Sequence, residues 1–264
     1  MSRVKRWSGG WELVVALLLV GGAFLSVPLT LGRLGLSWDA LNHQVYLGWQ
    51  AESPRFDLDY MAASLQSYQY PYLYWPLYAL TKAGVSGQQA GVVLALLHFV
   101  LVPPVWGIAK VLIPGAGWEH SVLRIAGVTL SFASILILKA FEVPGNDLLS
   151  CAPLLYSVDL ALKHVGPSAL VPAELSRTSA WAGVIVAGLL AGLSVAFKLS
   201  NGFAAVFLPL LLLWGPQGTA LIARAKSMLW CAVAIAAGFV VSYGYWGYLL
   251  YKEFGSPLFP FIGG

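Results

Sequence analysis

"WELVVALLLVGGAFLSVPLTLG", residues 11–32, follows a basic start carrying Arg3, Lys5 and Arg6. A membrane-crossing helix needs about 20 apolar residues, whereas the apolar core of a cleavable leader is about 7–15. The run is long enough to cross, so it reads as a retained first membrane helix, with cleavage as the alternative. The rest of the chain has the same character. Of 264 residues 59% are hydrophobic and only 10% charged, and the mean hydropathy is +0.77. Soluble domains carry about 25% charged residues, and a soluble fold of this size has no means of hiding so much apolar surface. Long unbroken apolar runs also exclude a membrane β-barrel, whose strands alternate over about ten residues. The fold class is therefore all-α, a polytopic helical membrane protein.

Apolar windows fall at 11–32, 88–110, 121–140, 147–163, 179–197, 200–215 and 227–250, which predicts about seven transmembrane helices in one domain over 1–264. The segment 70–84, "YPYLYWPLYALTKAG", is too short to cross and rich in tyrosine, which suits the membrane–water interface. With the amino terminus in the cytoplasm, nine Lys and Arg lie inside (Arg3, Lys5, Arg6, Lys110, Arg124, Lys163, Arg177, Arg224, Lys226) and six outside. The acids Asp39, Glu52, Asp57, Asp59, Glu142, Asp147 and Glu253 all fall outside, so 33–87 becomes an outer loop carrying interfacial amphipathic helices. The net charge of +4 belongs to this asymmetry and does not point to nucleic acid. Cys151 and Cys231 sit in separate apolar runs and read as small buried hydrophobes. The ending "GSPLFPFIGG" carries no polar tail, which reads as a truncated product or the amino-terminal half of a longer protein.

The candidate chemistry gathers at the outer face. In "LSWDALNHQVYLGWQAESPRFDLDY", residues 36–60, Asp39 and His43 are four apart and share a helix face. Trp38, Leu41, Val45, Tyr46 and Trp49 supply an apolar side, so 37–50 predicts a surface helix with Asp39, Asn42, His43 and Gln50 turned toward a cavity. A carboxylate so close to the bilayer is costly unless it is used or paired. In "KAFEVPGND", residues 139–147, Asn146 and Asp147 stand where the fourth helix begins; they serve equally as a helix cap or as a second carboxylate at the same mouth. Two such carboxylates could hold Mg or Mn, which prefer oxygen ligands, or one could act as a general base. Lys198, between Ser194 and Asn201 in an apolar hairpin, and Lys139 either reach to the interface or clamp a phosphate. His98 is read as a helix–helix hydrogen-bonding residue, and Asp159 with Lys163 as an i, i+4 pair. Nucleotide-binding, serine-hydrolase and zinc-protease signatures are absent from the sequence.

This arrangement resembles the GT-C superfamily, the integral-membrane glycosyltransferases that use a polyprenyl-phosphate-linked sugar, and within it the bacterial relatives of protein mannosyltransferases and aminoarabinose transferases. The resemblance rests on the topology, on the two acids, and on "WDALNHQVYLGWQA", "GNDLLSCAPLLYSVDLAL", "GLSVAFKLSNGFAA" and "FGSPLFPF". It implies that Asp39 is the first-loop catalytic acid, that Asp147, or else Glu142, is the second, and that Lys198 or Lys139 stands near the lipid phosphate. His43, Asn146 and Asn201 would complete the substrate site. Many members carry two adjacent acids in the first loop, whereas Ala40 follows Asp39 here. The implied place is the bacterial inner membrane, and the implied partners are a lipid-linked sugar donor and membrane lipid. A transporter or flippase subunit for a lipid-linked sugar, which would place polar groups deeper in the helices, and a non-catalytic truncated scaffold are the alternatives.

Overall fold

The computed structural model describes residues 10–35, 37–141, 145, 147–165, 177–214 and 219–262. In chain order the helices are α1 Gly10–Leu31, α2 Val45–Gln50, α3 Trp75–Lys82, α4 Gly87–Leu97, α5 Val102–Leu112, α6 Trp118–Phe132, α7 Ile135–Lys139, α8 Asp147–Val165, α9 Arg177–Phe197, α10 Gly202–Leu211 and α11 Leu221–Phe254. Four continuous helical stretches are long and apolar enough to cross a membrane: α1, Gly87–Leu112, α8 and α11. The apolar stretches Trp181–Phe197 and Leu199–Trp214 are shorter. The protein is a helical membrane protein, and large apolar side chains such as Leu18 and Val241 are exposed on its long helices, as a bilayer would allow.

Short-range signals set the ends. Ser86 and Gln89 form a reciprocal cap on α4, and Gly255, at φ 72°, closes α11 in the left-handed conformation that glycine adopts without penalty. Between α4 and α5 the helix tightens into a 3-10 turn at His98–Leu101, just ahead of Pro103 and Pro104. Those prolines lack the N–H that a regular helix would need there. The window 121–140 is not one helix. α6 stops at Phe132, and Ser134 turns extended and caps α7 by accepting from the Leu136 N–H at 3.3 Å. A serine oxygen at that spot offers the backbone an alternative to the helical ladder.

Two packed bodies share α8. In the first, Phe24 of α1 stacks on Phe141 at 4.1 Å and meets Phe132 edge-on at 5.5 Å, surrounded by Val20, Leu101 and Val128. In the second, α8, α9, α10 and α11 bury Ala161, Val184, Ala191, Leu208 and Cys231. Lipid offers no hydrophobic drive between helices, so close backbone approach must supply the attraction. α9 and α11 show how: a side chain on Gly192 would collide with the Ile235 carbonyl, one on Gly238 with the Leu189 carbonyl, and one on Gly188 would lie 2.6 Å from the Cys231 carbonyl. The loop between α1 and α4 folds over one end of the bundle. Its Tyr68 is buried against Phe254 and Phe259, and its backbone carbonyl accepts from the Trp246 indole at 3.0 Å.

The opposite end is closed by a charge network that the apolar run of α1 concealed. Glu12, almost fully buried, accepts from the Arg124 guanidinium at 2.6 and 2.9 Å, from the Ser121 hydroxyl at 2.6 Å and from the Trp106 indole at 3.1 Å. Arg124 also donates to the carbonyls of Ile113 and Gly115, each at 3.0 Å. Every donor on that guanidinium points at an oxygen, which is the condition under which a buried charge is tolerable. Nearby, the expected Asp159–Lys163 pair is present at 2.6 Å, and Gly107 leaves the room that the Asp159 carboxylate fills.

Two outcomes follow from this packing. Gly192→Val should destabilise the protein by about 1–3 kcal/mol through overpacking, whereas Gly22→Ala, with open space around it, should gain up to about 1 kcal/mol of helix propensity. Unfolding in mixed micelles measures both, and a Gly192→Val protein as stable as wild type would contradict the close α9–α11 contact. Glu12→Gln should cost about 3–5 kcal/mol by stranding a buried Arg124, and the double change Glu12→Leu with Arg124→Met should recover most of it. Equal losses in the single and double variants would show that the pair is not the closure.

Candidate functional site

The loop end of the bundle collects charged residues from three distant segments. Lys198 ends α9 with an extended backbone, and Asp147 begins α8. The Lys198 ammonium is in direct contact with the Asp147 carboxylate, which sits in the first turn of α8 where the helix dipole favours an anion. Lys198 also lies within the field of Asp39 and of His43. Burial pulls the Lys198 ammonium below its ordinary range; the Asp39 carboxylate works in the opposite sense, as does contact with Asp147.

Below Lys198 the scaffold is polar but closed. The Asn201 amide donates to the Ser150 carbonyl and hydroxyl, each at 3.2 Å, and to the Ser194 carbonyl and hydroxyl at 3.2 and 2.9 Å. Ser194 in turn donates to the Ser150 carbonyl at 2.7 Å. Asn201, read from sequence as a substrate residue, here binds α8 to α9 and holds the backbone of Lys198, whose carbonyl accepts from the Asn201 N–H at 2.9 Å. Lys139 ends α7, exposed, and makes no hydrogen bond or ion pair among the described residues. Glu142 and Asn146 lie outside the described residues.

Above Lys198 runs the helical segment 38–50. Its first part, Ala40–Gln44, is a π-helical turn that continues into α2. Such turns in α-helices concentrate at functional sites. Asp39 begins this turn but does not cap it; the Ser37 hydroxyl accepts from the Ala40 N–H at 3.1 Å instead. The Asp39 side chain is therefore a half-exposed carboxylate with no structural task, 3.8 Å from His43 Nδ1. The other acids of the loop are differently placed. Glu52 accepts from Lys82 at 2.7 Å and from Trp75 at 2.9 Å, Asp59 makes a forked pair with Arg55, and Asp57 is exposed.

The amphipathicity of 38–50 follows the sequence in part: Asp39, expected toward a cavity, is about half exposed, and Ala40 and Leu47 are buried with the polar groups. Trp38 and Leu41 are each 71% exposed, while His43, Gln44 and Gln50 are buried. Gln44 is the residue that sequence reasoning missed; a neutral amide between His43 and Val45 carries no signal until its burial is seen. Gly48 lets this segment lie on α3, since a side chain there would meet the Tyr74 carbonyl at 2.8 Å. Burial pushes the Tyr46 phenol up to about 12, with Asp59 and Tyr68 adding to the shift, so it remains a hydroxyl and accepts from Gln50 Nε2 at 3.5 Å.

The Lys198 ammonium lies against Asp147, one of the two aspartates read as a shared cation site. Among the described residues no group of three or more His, Cys, Asp or Glu side chains comes together as a metal site. The expected helix–helix hydrogen bond of His98 is replaced by one within its own helix: its Nδ1 lies 2.7 Å from the Leu94 carbonyl, and its ring packs edge-on against Phe141 at 4.8 Å.

Burial holds the His43 imidazole below its ordinary value of 6.5, and Lys198 pushes it the same way, against the pull of Asp39. The unfolded chain takes up a proton near 6.5 that folded His43 refuses. The stability this contributes is therefore present above pH 6.5 and is lost as pH falls below it. Melting temperatures from pH 7.5 to 5.5 should fall less steeply for His43→Asn than for wild type. Parallel slopes would mean that His43 is not held neutral. No family model, curated protein or solved structure matches the chain, so any functional reading rests on these side chains.

Proposed function

We propose that the chain is a membrane glycosyltransferase of the GT-C kind, taking a sugar from a polyprenyl-phosphate donor at the loop end of the bundle. The observation that carries this is the meeting of Asp39, His43, Lys198 and Asp147 from three separate segments. In this reading the helices alternate across the bilayer as seven passes, with α6–α7 as one and the basic amino terminus in the cytoplasm of a bacterial inner membrane. Trp38 and Leu41 lie in the headgroup layer, and the lipid tail stays in the bilayer.

The chemistry then divides among the residues. An acceptor hydroxyl oxygen forms the new bond to the anomeric carbon as the bond from that carbon to the phosphate oxygen breaks. Asp39, which caps nothing, accepts the hydroxyl proton. The electron pair leaves on the polyprenyl phosphate, whose charge the Lys198 ammonium offsets, with Asp147 fixing where that ammonium stands.

A second reading, movement of a lipid-linked sugar across the membrane, is favoured by His98, which lines a small pocket with Leu34, Gly91, Ala140 and Gly145 at the break between α4 and α5. Transport sites favour broken helices.

Transfer of labelled sugar from a panel of polyprenyl-phosphate donors, in membranes holding matched amounts of each variant, separates the two readings. Asp39→Asn should lower the rate by about 10²–10⁴-fold, the usual worth of a general base. Asp57→Asn should leave it unchanged. Equal rates for wild type and Asp39→Asn would reject the catalytic role, and loss of flipping in His98→Leu alone would then favour transport.

A further inference from the structure

The segment 38–50 exposes Trp38 and Leu41, and among the side chains it buries beside Ala40 and Leu47 three polar ones are not satisfied by the protein. Among the described residues, His43 Nδ1, Gln44 Oε1 and Gln50 Oε1 are buried and have no hydrogen-bond partner. Gln50 is completely buried, and its Nε2 reaches only the Tyr46 hydroxyl, at a long 3.5 Å. A buried polar atom left without a partner costs about 1–3 kcal/mol. Three of them on one short helical segment, next to a π-helical turn and beside Asp39 and Lys198, make an unusual concentration of that cost. Elsewhere the same end of the molecule is well satisfied: all of the Asn201 donors and both Ser150 and Ser194 are bonded. Among the described residues, 38–50 is the segment that gathers three such atoms; others, such as those on His120, Thr129 and Asp159, are spread over α6 and α8.

The missing partners define a chemistry. Two amide oxygens call for donors, and a neutral imidazole nitrogen accepts or donates according to its tautomer. Turning either amide exchanges oxygen for nitrogen and leaves an unmet group of the other kind. A ligand that answers all three must offer several groups able both to donate and to accept, and adjacent hydroxyls do this. Apolar tails and bare phosphates do not. We propose that His43, Gln44 and Gln50 form a subsite that binds the hydroxyl groups of a sugar, and so select a glycosylated lipid phosphate over the unglycosylated one. This rests on the reading of the Asp39–Lys198 group as a lipid-phosphate site and adds the residues that recognise the sugar.

The test uses the full chain in nanodiscs, with three probes: farnesyl phosphate, farnesyl phosphate carrying a hexose, and a free methyl hexoside. Binding is followed by titration calorimetry and by the shift in melting temperature. Wild type should bind the hexosyl lipid at least tenfold more tightly than farnesyl phosphate. Gln44→Met and Gln50→Met should each lower affinity for the hexosyl lipid about tenfold, the worth of one good hydrogen bond, and leave farnesyl phosphate binding unchanged. Both variants should also melt higher than wild type, because each replaces an unpaired amide by an apolar chain of similar size. Equal binding of the two lipids, or Gln variants that keep full affinity for the hexosyl lipid, would overturn the subsite and reduce the niche to a place for water. Farnesyl phosphate binding that is lost in Lys198→Met would still support the phosphate site in that case. Conversely, methyl hexoside binding that depends on Gln44 and Gln50, with no binding of farnesyl phosphate, would keep the subsite and overturn the lipid-phosphate reading. Binding of none of the three probes would overturn both.

Discussion

A polar group inside this molecule has to be answered by the protein, because the lipid around it offers nothing. The two ends of the bundle meet that constraint differently. Around Glu12 the answer is complete: carboxylate, guanidinium, hydroxyl, indole and two backbone carbonyls close on each other. At the loop end Lys198 finds Asp147, and Asn201 is fully bonded, yet Asp39 caps nothing and the inner face of 38–50 keeps unmet groups. The first end is built as a closure. The second has the composition of a site.

The shape of the bundle follows from how each body was packed. The first uses large rings, with Phe24 between Phe132 and Phe141, and it tolerates a break between α6 and α7 because those rings bridge the break. The second uses absence of side chain: Gly188 and Gly192 let α9 press against α11. α9 ends at Phe197, so close packing with α11 also fixes where Lys198 stands. Glycines well inside the bundle are in this sense part of the geometry of the charged end.

Much of that end was legible in the sequence, for a physical reason. Charge is rare in this chain, so Asp39, Asp147 and Lys198 stood out, and each fell at the edge of an apolar run, where topology places them on one side. The same contrast hid other features. Glu12 lies one residue inside an apolar run, and nothing near it in sequence predicts Arg124, which is more than a hundred residues away. Gln44 is neutral, and only its burial reveals it. The break after α6 turns on Ser134, an ordinary residue in a helix until its hydroxyl takes the Leu136 N–H. Hydropathy averages over a window and does not register a single capping bond, so 121–140 reads as one unbroken run. Asn201 was legible as polar but not as structural, since the serines it binds come from two other turns of chain.

The inverted face of 38–50 constrains the choice among functions more than any single acid does. A surface helix resting on a soluble core turns mostly apolar groups in; this one exposes Trp38 and Leu41 and buries His43, Gln44 and Gln50 beside Ala40 and Leu47. In the proposed reading, exposed apolar rings and buried unmet polar groups on one segment suit a ligand that is itself divided, with a tail that remains in hydrocarbon and a headgroup that leaves it. A scaffold gains nothing from unmet hydrogen-bonding groups, and a transport path would carry them through the depth of the bundle. Within the helices His98 Nδ1 is bonded to the carbonyl of Leu94 and Ser157 to that of Ala187. In the proposed reading the unmet capacity next to Asp39 and Lys198 lies at the rim, where a lipid-borne headgroup reaches it without the tail leaving the bilayer.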